Sequence, residues 1–437
     1  MPRKVLIISY YFPPSGGAGV QRVLKSVKYL PEFGWEPVVL TVNEDADFPA
    51  RDPSLLKEIP KGVAVHRTRI FEPYDLYRKW TGKKKSDPID IVTTTQTMDG
   101  SAGERLSRWV RATFFIPDAR RYWKRPALAE AEKILRSEKI DLILSSAPPY
   151  TCHLIGMTLK RRHAVPWIAD FRDSWVGWLS TPTRWWLPDR IDRHLERSVL
   201  MHADRIVSVS NGVKKDLLSR NPKIPADKWS IIPNGYDGSD FDGITSTPQR
   251  DRFVLTYAGS LYGKRNPSTV LKAAESLIAN HPEFREKLLI RFVGRVDPQY
   301  LDAFRKLGDA FEHVPYVPHR ESLGHLLNAS ALLLVIDDAA SASSIVTGKL
   351  YEYLRAAKPI LAVAPGGEAA DLIRGLGAGR VVSPDDPAAV EKTLLEWMRL
   401  WEDGKPIPCA SGKDIDRFER KALTGELTAL FEATIKK

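Results

Sequence analysis

The chain has 437 residues, with 65 Lys and Arg against 54 Asp and Glu, a formal charge of +11 and 43% hydrophobic residues. This length suggests two domains, at about 150 residues each, and the balanced composition excludes collagenous, low-complexity and long disordered chains. Cys152 and Cys409 stand alone, which excludes a disulfide framework or a cysteine-ligated zinc site and fits a reducing compartment.

The charge is one-sided. Residues 1–240 hold 39 Lys and Arg against 28 Asp and Glu, whereas residues 241–437 hold 26 of each. Of the surplus, +8 falls within residues 51–125, which contain Lys83, Lys84, Lys85, Arg120, Arg121 and Lys124. Such a field suits an anionic partner, either phosphates or a membrane surface. The apolar run Val5–Ile8 is too short for a signal peptide, and no uncharged stretch approaches the roughly 18–20 residues of a spanning helix.

In chain order, the strand Val5–Ile8 leads through Gly16, Gly17 and Gly19 into a helix with Val23, Val27 and Leu30 on one face. Glycines at a strand-to-helix turn let the backbone approach a phosphate, although a tight turn without a ligand uses the same residues. The spacing is not that of the dinucleotide fingerprint. Strands are then expected at Pro37–Val42, Leu142–Ser145, Trp167–Asp170, Arg205–Val209 and Ser230–Ile232, with an irregular basic insertion at about 45–125. The series restarts at Phe253–Tyr257, Leu289–Val293, Ala331–Ile336 and Pro359–Val363, and apolar residues at helical spacing close the chain.

This pattern predicts an α/β protein with two doubly wound Rossmann-like domains facing across an interdomain cleft. The expected bounds are 1–240, a linker at 241–251, a second domain at 252–410 and a closing helix within 411–437. In the second domain, Ser260, Lys264 and Arg265 lie on a glycine-flanked loop after the first strand, placed to neutralise a diphosphate, although a solvated loop carries the same residues. Farther on, Thr347, Gly348 and Lys349 open a helix that carries Glu352 in its first turn. Helix-start amides suit phosphate oxygens, and a carboxylate there suits a ribose diol or simply the helix dipole.

Taken together, five segments resemble the retaining GT-B glycosyltransferases of family 4. They are the Gly16-Gly17 loop, Ala203-Asp204-Arg205-Ile206-Val207-Ser208-Val209-Ser210, Ile232-Pro233-Asn234-Gly235-Tyr236-Asp237, Tyr257-Ala258-Gly259-Ser260, and Glu352 before Pro359. The resemblance implies that Gly16 and Gly17 lie against the donor diphosphate, that Lys264 or Arg265 replaces the family's phosphate-binding lysine, and that Glu352 binds ribose. The chain departs from the pattern twice: Ser344 stands where the first of two paired glutamates belongs, and Ser260 replaces an arginine. Hydroxyls at Ser344 and Thr347 are expected to supply weaker hydrogen bonds there.

On the acceptor side, Arg172 is the closest match to a histidine that many relatives place near the reacting carbon. Asp170 and Asp173 flank it, and His153 opens a helix after another strand end. These four are the catalytic candidates, although an Arg between two Asp also reads as a structural ion-pair cluster, and His153 as a cap or packing residue. Trp167, Trp175, Trp178, Trp185 and Trp186 crowd one segment, and together with the basic insertion they suggest an interfacial face, although core and cleft aromatics beside a solvated loop give the same pattern.

The expected function is transfer of a sugar from a UDP or GDP type nucleotide sugar to a hydroxyl of a lipid-linked glycan in bacterial cell-surface polysaccharide synthesis. Charge stabilisation and domain closure would do the catalytic work, with no cofactor, no metal and no nucleic acid. The expected location is cytoplasmic, peripheral on the inner face of the plasma membrane. A non-catalytic nucleotide-sugar scaffold, an epimerase or hydrolase on the same fold, and a nucleic-acid binder are the alternatives.

Overall fold

A computed structural model describes residues 2–70, 109–110, 112–177, 181–261, 265–336, 342–344, 346–410 and 412–436. The chain divides into two compact units, Met1–Pro233 with Arg420–Lys437, and Asn234–Glu419. Each is a parallel sheet covered by helices.

Unit 1 contains strands β1 (Arg3–Ile8), β2 (Trp35–Val42), β3 (Ala64–Thr68), β4 (Leu142–Ala147), β5 (Trp167–Phe171), β6 (Arg205–Ser208) and β7 (Trp229–Ile231), in the order β3-β2-β1-β4-β5-β6-β7. Its helices are α1 (Ala18–Tyr29), α2 (Lys124–Ser137), α3 (Thr151–His163), α4 (Trp186–His202) and α5 (Asn211–Arg220). All strand pairs are parallel, with Val5 of β1 opposite Pro37 of β2 on one side and Leu142 of β4 on the other. The inner strands are buried on both faces, which is why they read as unbroken apolar runs.

Unit 2 contains β8 (Phe253–Ala258), β9 (Leu288–Val293), β10 (Phe311–Val314), β11 (Ala331–Val335), β12 (Ile360–Val363) and β13 (Gly379–Val382), in the order β10-β9-β8-β11-β12-β13. Its main helices are α6 (Ser268–Asn280), α7 (Pro298–Arg305), α8 (His319–Leu327), α9 (Gly348–Ala356), α10 (Glu368–Gly375) and α11 (Pro387–Glu402). In each sheet the order reverses beside the first strand, between β1 and β4 and between β8 and β11. A doubly wound sheet opens a ligand crevice beyond the carboxyl ends at that reversal.

Three strands were missing from the sequence expectation: β3, β10 and β13. All three are sheet edges, and most of their residues are partly exposed. An edge strand is covered incompletely, so its sequence lacks the continuous apolar run.

The unit boundary lies at Pro233, ahead of the expected 240, and the last helix, α12 (Arg420–Ile435), belongs to unit 1. Its apolar residues explain both facts. Leu423, Leu427 and Phe431 join the core built by Val5, Val23, Val27 and Trp35, with the Phe431 and Trp35 rings 5.0 Å apart, edge to face. Just before it, Tyr236 N donates to Phe418 O at 3.1 Å, fastening the preceding turn to unit 2. Replacing Phe431 with Ala should therefore destabilise unit 1 by about 3–5 kcal/mol, read as a shift of the unit-1 transition in denaturant unfolding.

Candidate functional site

In unit 1 the chain leaves β1 and turns through Gly16 and Gly17 into α1. Gly16 N donates to Ala50 O at 2.9 Å and Asp52 N to Pro14 O at 2.9 Å, so the segment after β2 clamps the loop. Gly17 is the N-cap of α1 with φ 89°, a left-handed conformation that favours glycine, and no side chain caps the helix start. No acidic residue lies in the first turn. The turn thus presents backbone amides at the positive end of a helix dipole, an arrangement suited to an anion.

Beneath that turn, the expected catalytic residues are bound into the interior. Asp170, at the end of β5, accepts from Arg22 Nη2 at 2.8 Å, Arg22 Nε at 3.0 Å and Ser146 Oγ at 2.8 Å. The same guanidinium donates to Pro233 O at 2.8 Å and Ile232 O at 3.0 Å. Burial alone would raise the Asp170 carboxyl, but the Arg22 charge and these hydrogen bonds more than offset it and hold the group below its ordinary value. Arg172 donates to the carbonyls of Gly19 and Pro148 and, at 3.2 Å, to Ala147 O. It therefore joins three segments: the first turn of α1, the end of β4 and its own loop.

His153 is fully buried against Phe171, with ring centroids 4.4 Å apart, and its Nδ1 lies 2.8 Å from Ser145 Oγ. Trp167 Nε1 donates to that same oxygen at 2.9 Å, and His153 Nε2 is buried without a hydrogen-bond partner among the described residues. Burial lowers its pKa to about 3, leaving it neutral at physiological pH. The expectation that His153, Asp170 and Arg172 act directly on substrate is revised on these grounds: enclosed in the core, they hold the loops in place. Asp173 is the half-buried member of the set, and its charge adds to the burial that raises the Tyr150 hydroxyl pKa.

The aromatic and basic expectations divide in the same way. Trp167, Trp175 and Trp123 are buried, whereas Trp109, Trp185 and Trp186 are exposed. Arg120 is buried as well, stacked 5.0 Å from the Tyr10 ring centroid and donating to Asp47 O at 3.0 Å, so it is no surface cation. Lys83, Lys84, Lys85 and Trp178 lie outside the described residues.

In unit 2 the crevice after β8 brings several expected residues together. Gly259 has φ 116°, and a Cβ there would strike the Lys349 ammonium and its methylenes. The glycine thus admits Lys349 from the start of α9. Lys349 Nζ donates to the Tyr257 hydroxyl at 2.8 Å, and that hydroxyl donates to Ser260 O at 2.8 Å. Arg265 Nη1 reaches the same carbonyl at 3.4 Å. Thr347 is the N-cap of α9, yet its side chain does not cap the helix, and Oγ1 is buried without a hydrogen-bond partner among the described residues. Gly348 begins that helix. Two cations and uncapped amides converge on one loop, the arrangement that stabilises a diphosphate.

One turn along α9, Glu352 Oε1 lies 2.9 Å from His319 Nε2, at the start of α8. This histidine has no sequence signal of its own, since it follows Pro318 in an unremarkable polar stretch. Tyr353 faces the other way and accepts from Ala258 N at 2.9 Å, fixing the helix against the strand end. Ser344 lies in the 3-10 turn Ala342–Ser344, and Lys264 lies outside the described residues. Among the described residues, no group of three or more His, Cys, Asp or Glu is placed to hold a metal ion, and no helix is long and apolar enough to cross a membrane.

Residues 84–239 match the family described as Glycosyltransferase Family 4. A D-inositol 3-phosphate glycosyltransferase of Geodermatophilus obscurus is 25% identical over 209 residues, which are 44% of this chain and 45% of that relative. The match thus spans under half the length of that relative. Among solved structures, Anabaena HepE in complex with UDP-glucose superposes with TM-score 0.62 at 11% identity, covering 98% of this chain and 99% of its own. WaaG, a glycosyltransferase involved in lipopolysaccharide biosynthesis, superposes with TM-score 0.56 at 14% identity, with 98% and 99% coverage. The chain is similar to Glycosyltransferase Family 4 over residues 84–239 and has the GT-B fold.

Proposed function

We propose that this protein transfers a sugar from a UDP or GDP type nucleotide sugar to a hydroxyl of a lipid-linked glycan, with retention of anomeric configuration, in bacterial cell-surface polysaccharide synthesis. The observation that carries the reading is the Lys349 ammonium lying against Gly259 at the start of α9. The UDP-glucose bound by HepE supports the donor class, and the role of WaaG in lipopolysaccharide synthesis supports the acceptor class.

In the reaction, the acceptor oxygen forms a bond to the anomeric carbon as the bond to the diphosphate oxygen breaks. Negative charge builds on the departing nucleoside diphosphate, whose leaving oxygen takes up the acceptor proton. Lys349, Arg265 and the first amides of α9 stabilise that charge in a preorganised site. The Lys349 ammonium exchanges its phenol partner for a phosphate oxygen. Glu352, held toward the ribose by His319, fixes the nucleoside, and Asp173 orients the acceptor hydroxyl. The Gly16-Gly17 turn offers amides to the donor. The membrane that carries the acceptor is an anionic surface, and the protein works peripherally at its cytoplasmic side.

Replacing Lys349 or Glu352 with Ala should weaken UDP-sugar or GDP-sugar binding by more than about tenfold, as expected for a charge-assisted hydrogen bond. Unchanged affinity in calorimetry would place the nucleotide elsewhere. Proton NMR of the product should show the anomeric configuration of the donor, and an inverted product defeats the retaining assignment. The pH dependence of stability has a definite sign. His153 titrates at about 3 when folded against an ordinary 6.5, so the unfolded chain takes up the proton first. Stability should therefore decline as pH falls below that ordinary value, by up to about 1.4 kcal/mol per unit. Urea unfolding from neutral to mildly acidic pH should show a weaker decline in His153→Gln.

A further inference from the structure

Helix α4 is inverted relative to an ordinary surface helix. Two of its three carboxylates point inward: Asp192 accepts from Trp175 Nε1 at 2.8 Å and Arg184 Nε at 3.0 Å, and Glu196 accepts from Arg220 Nη2 at 2.9 Å and Val176 N at 3.0 Å. Its outward side carries apolar residues, with Leu187 40%, Ile191 42% and Met201 48% exposed at helical spacing. Between them stand exposed Arg190, Arg193 and Arg197, countered on that side by Asp189, which pairs with Arg193.

The apolar surface continues beyond the helix. Trp186 is 72% exposed and packs edge to face on Trp185, whose Nε1 donates to Thr113 Oγ1 at 3.0 Å. In the segment that carries Thr113, Trp109 and Phe114 are 50% and 53% exposed and meet with centroids 6.0 Å apart. Arg184 holds this segment rigidly: its guanidinium donates to Phe115 O at 3.0 Å, Pro117 O at 2.9 Å and also Ala112 O, while its Nε binds Asp192. Exposed Arg121 extends the cationic rim and donates to Phe114 O at 2.6 Å. Four aromatic side chains fixed in one patch, rimmed by arginines, match the chemistry of an interfacial anchor, with rings at headgroup depth and cations against anionic phosphates.

We propose that the face formed by Trp109, Phe114, Trp185 and the outward side of α4 docks on an anionic phospholipid bilayer. The proposal rests on the lipid-linked acceptor reading and deepens it by naming the surface. The occupant follows from charge complementarity: the outward charges are predominantly arginine, and Asp192 and Glu196 are turned inward and paired. Contiguous exposed aromatic side chains with a polar rim mark an interaction surface.

The test uses the full chain and phosphatidylcholine vesicles with and without phosphatidylglycerol, read by co-sedimentation. The protein should bind vesicles that contain phosphatidylglycerol and bind pure phosphatidylcholine weakly. Combined Trp186→Ser, Leu187→Ser and Ile191→Ser should lower the partition coefficient by roughly tenfold or more, while Arg190→Gln with Arg197→Gln should remove the preference for the anionic lipid. Trp186→Ser alone serves as the milder variant, and UDP binding and circular dichroism should stay unchanged in all of them. Equal partitioning of wild type and variants overturns the proposal. So does a wild-type dimer that the triple variant dissociates without loss of vesicle binding, which would give the face to a second copy of the chain. Vesicle binding needs neither donor nor acceptor, so its failure leaves sugar transfer intact, and absent transfer leaves the docking face intact.

Discussion

A parallel sheet must be covered on both faces, and right-handed crossovers can cover both only if the winding direction reverses once. Everything chemical in this protein follows from that reversal. In unit 1 it falls between β1 and β4, so the glycine turn after β1 and the segment after β4 end side by side, and Arg172 from the next strand reaches both. In unit 2 it falls between β8 and β11, and the chain that leaves β11 returns through α9 to set Lys349 against the end of β8. The two crevices use different chemistry. The first offers amides braced by buried charges; the second offers cations whose partners are a phenol and a carbonyl.

The buried charges of unit 1 are held by mutual satisfaction. An Arg and an Asp taken from water lose hydration that their attraction alone does not restore, so a buried pair survives where further hydrogen bonds complete it. Arg22 and Asp170 meet that condition through Ser146 and two backbone carbonyls. Removing either partner strands a charge, which is costlier than never having buried the pair. The same logic separates Arg172 from Lys349. Arg172 spends its fork on carbonyls that belong to the fold, whereas the Lys349 ammonium donates to the Tyr257 hydroxyl, a neutral oxygen.

How much of this was legible in the sequence depended on distance along the chain. Doubly covered strands such as β1, β8 and β11 announced themselves by composition, and the start of α9 at Gly348 by its glycine after a polar turn. The edges β3, β10 and β13 did not, because incomplete burial leaves ordinary mixed residues. Asp170 and His153 looked available for chemistry since nothing nearby in sequence reveals their burial: Arg22 lies 148 positions before Asp170. His319 was invisible for the same reason, lying 33 positions from Glu352. The tryptophan crowding at 167–186 mixed two populations. Trp167 on β5 and Trp175 in the loop after it fill the core, and Trp185 and Trp186 at the start of α4 lie on the surface.

The return of α12 to unit 1 gives the chain an order of completion. Residues 234–419 form their unit from one continuous stretch, whereas the core around Trp35 waits for Leu423, Leu427 and Phe431. During synthesis from the amino terminus, the first sheet to be translated is therefore the last to be sealed, and the inserted unit can mature while its host still exposes apolar surface. Damage confined to the final helix strikes the glycine turn's unit, at the far end of the sequence from where the lesion lies.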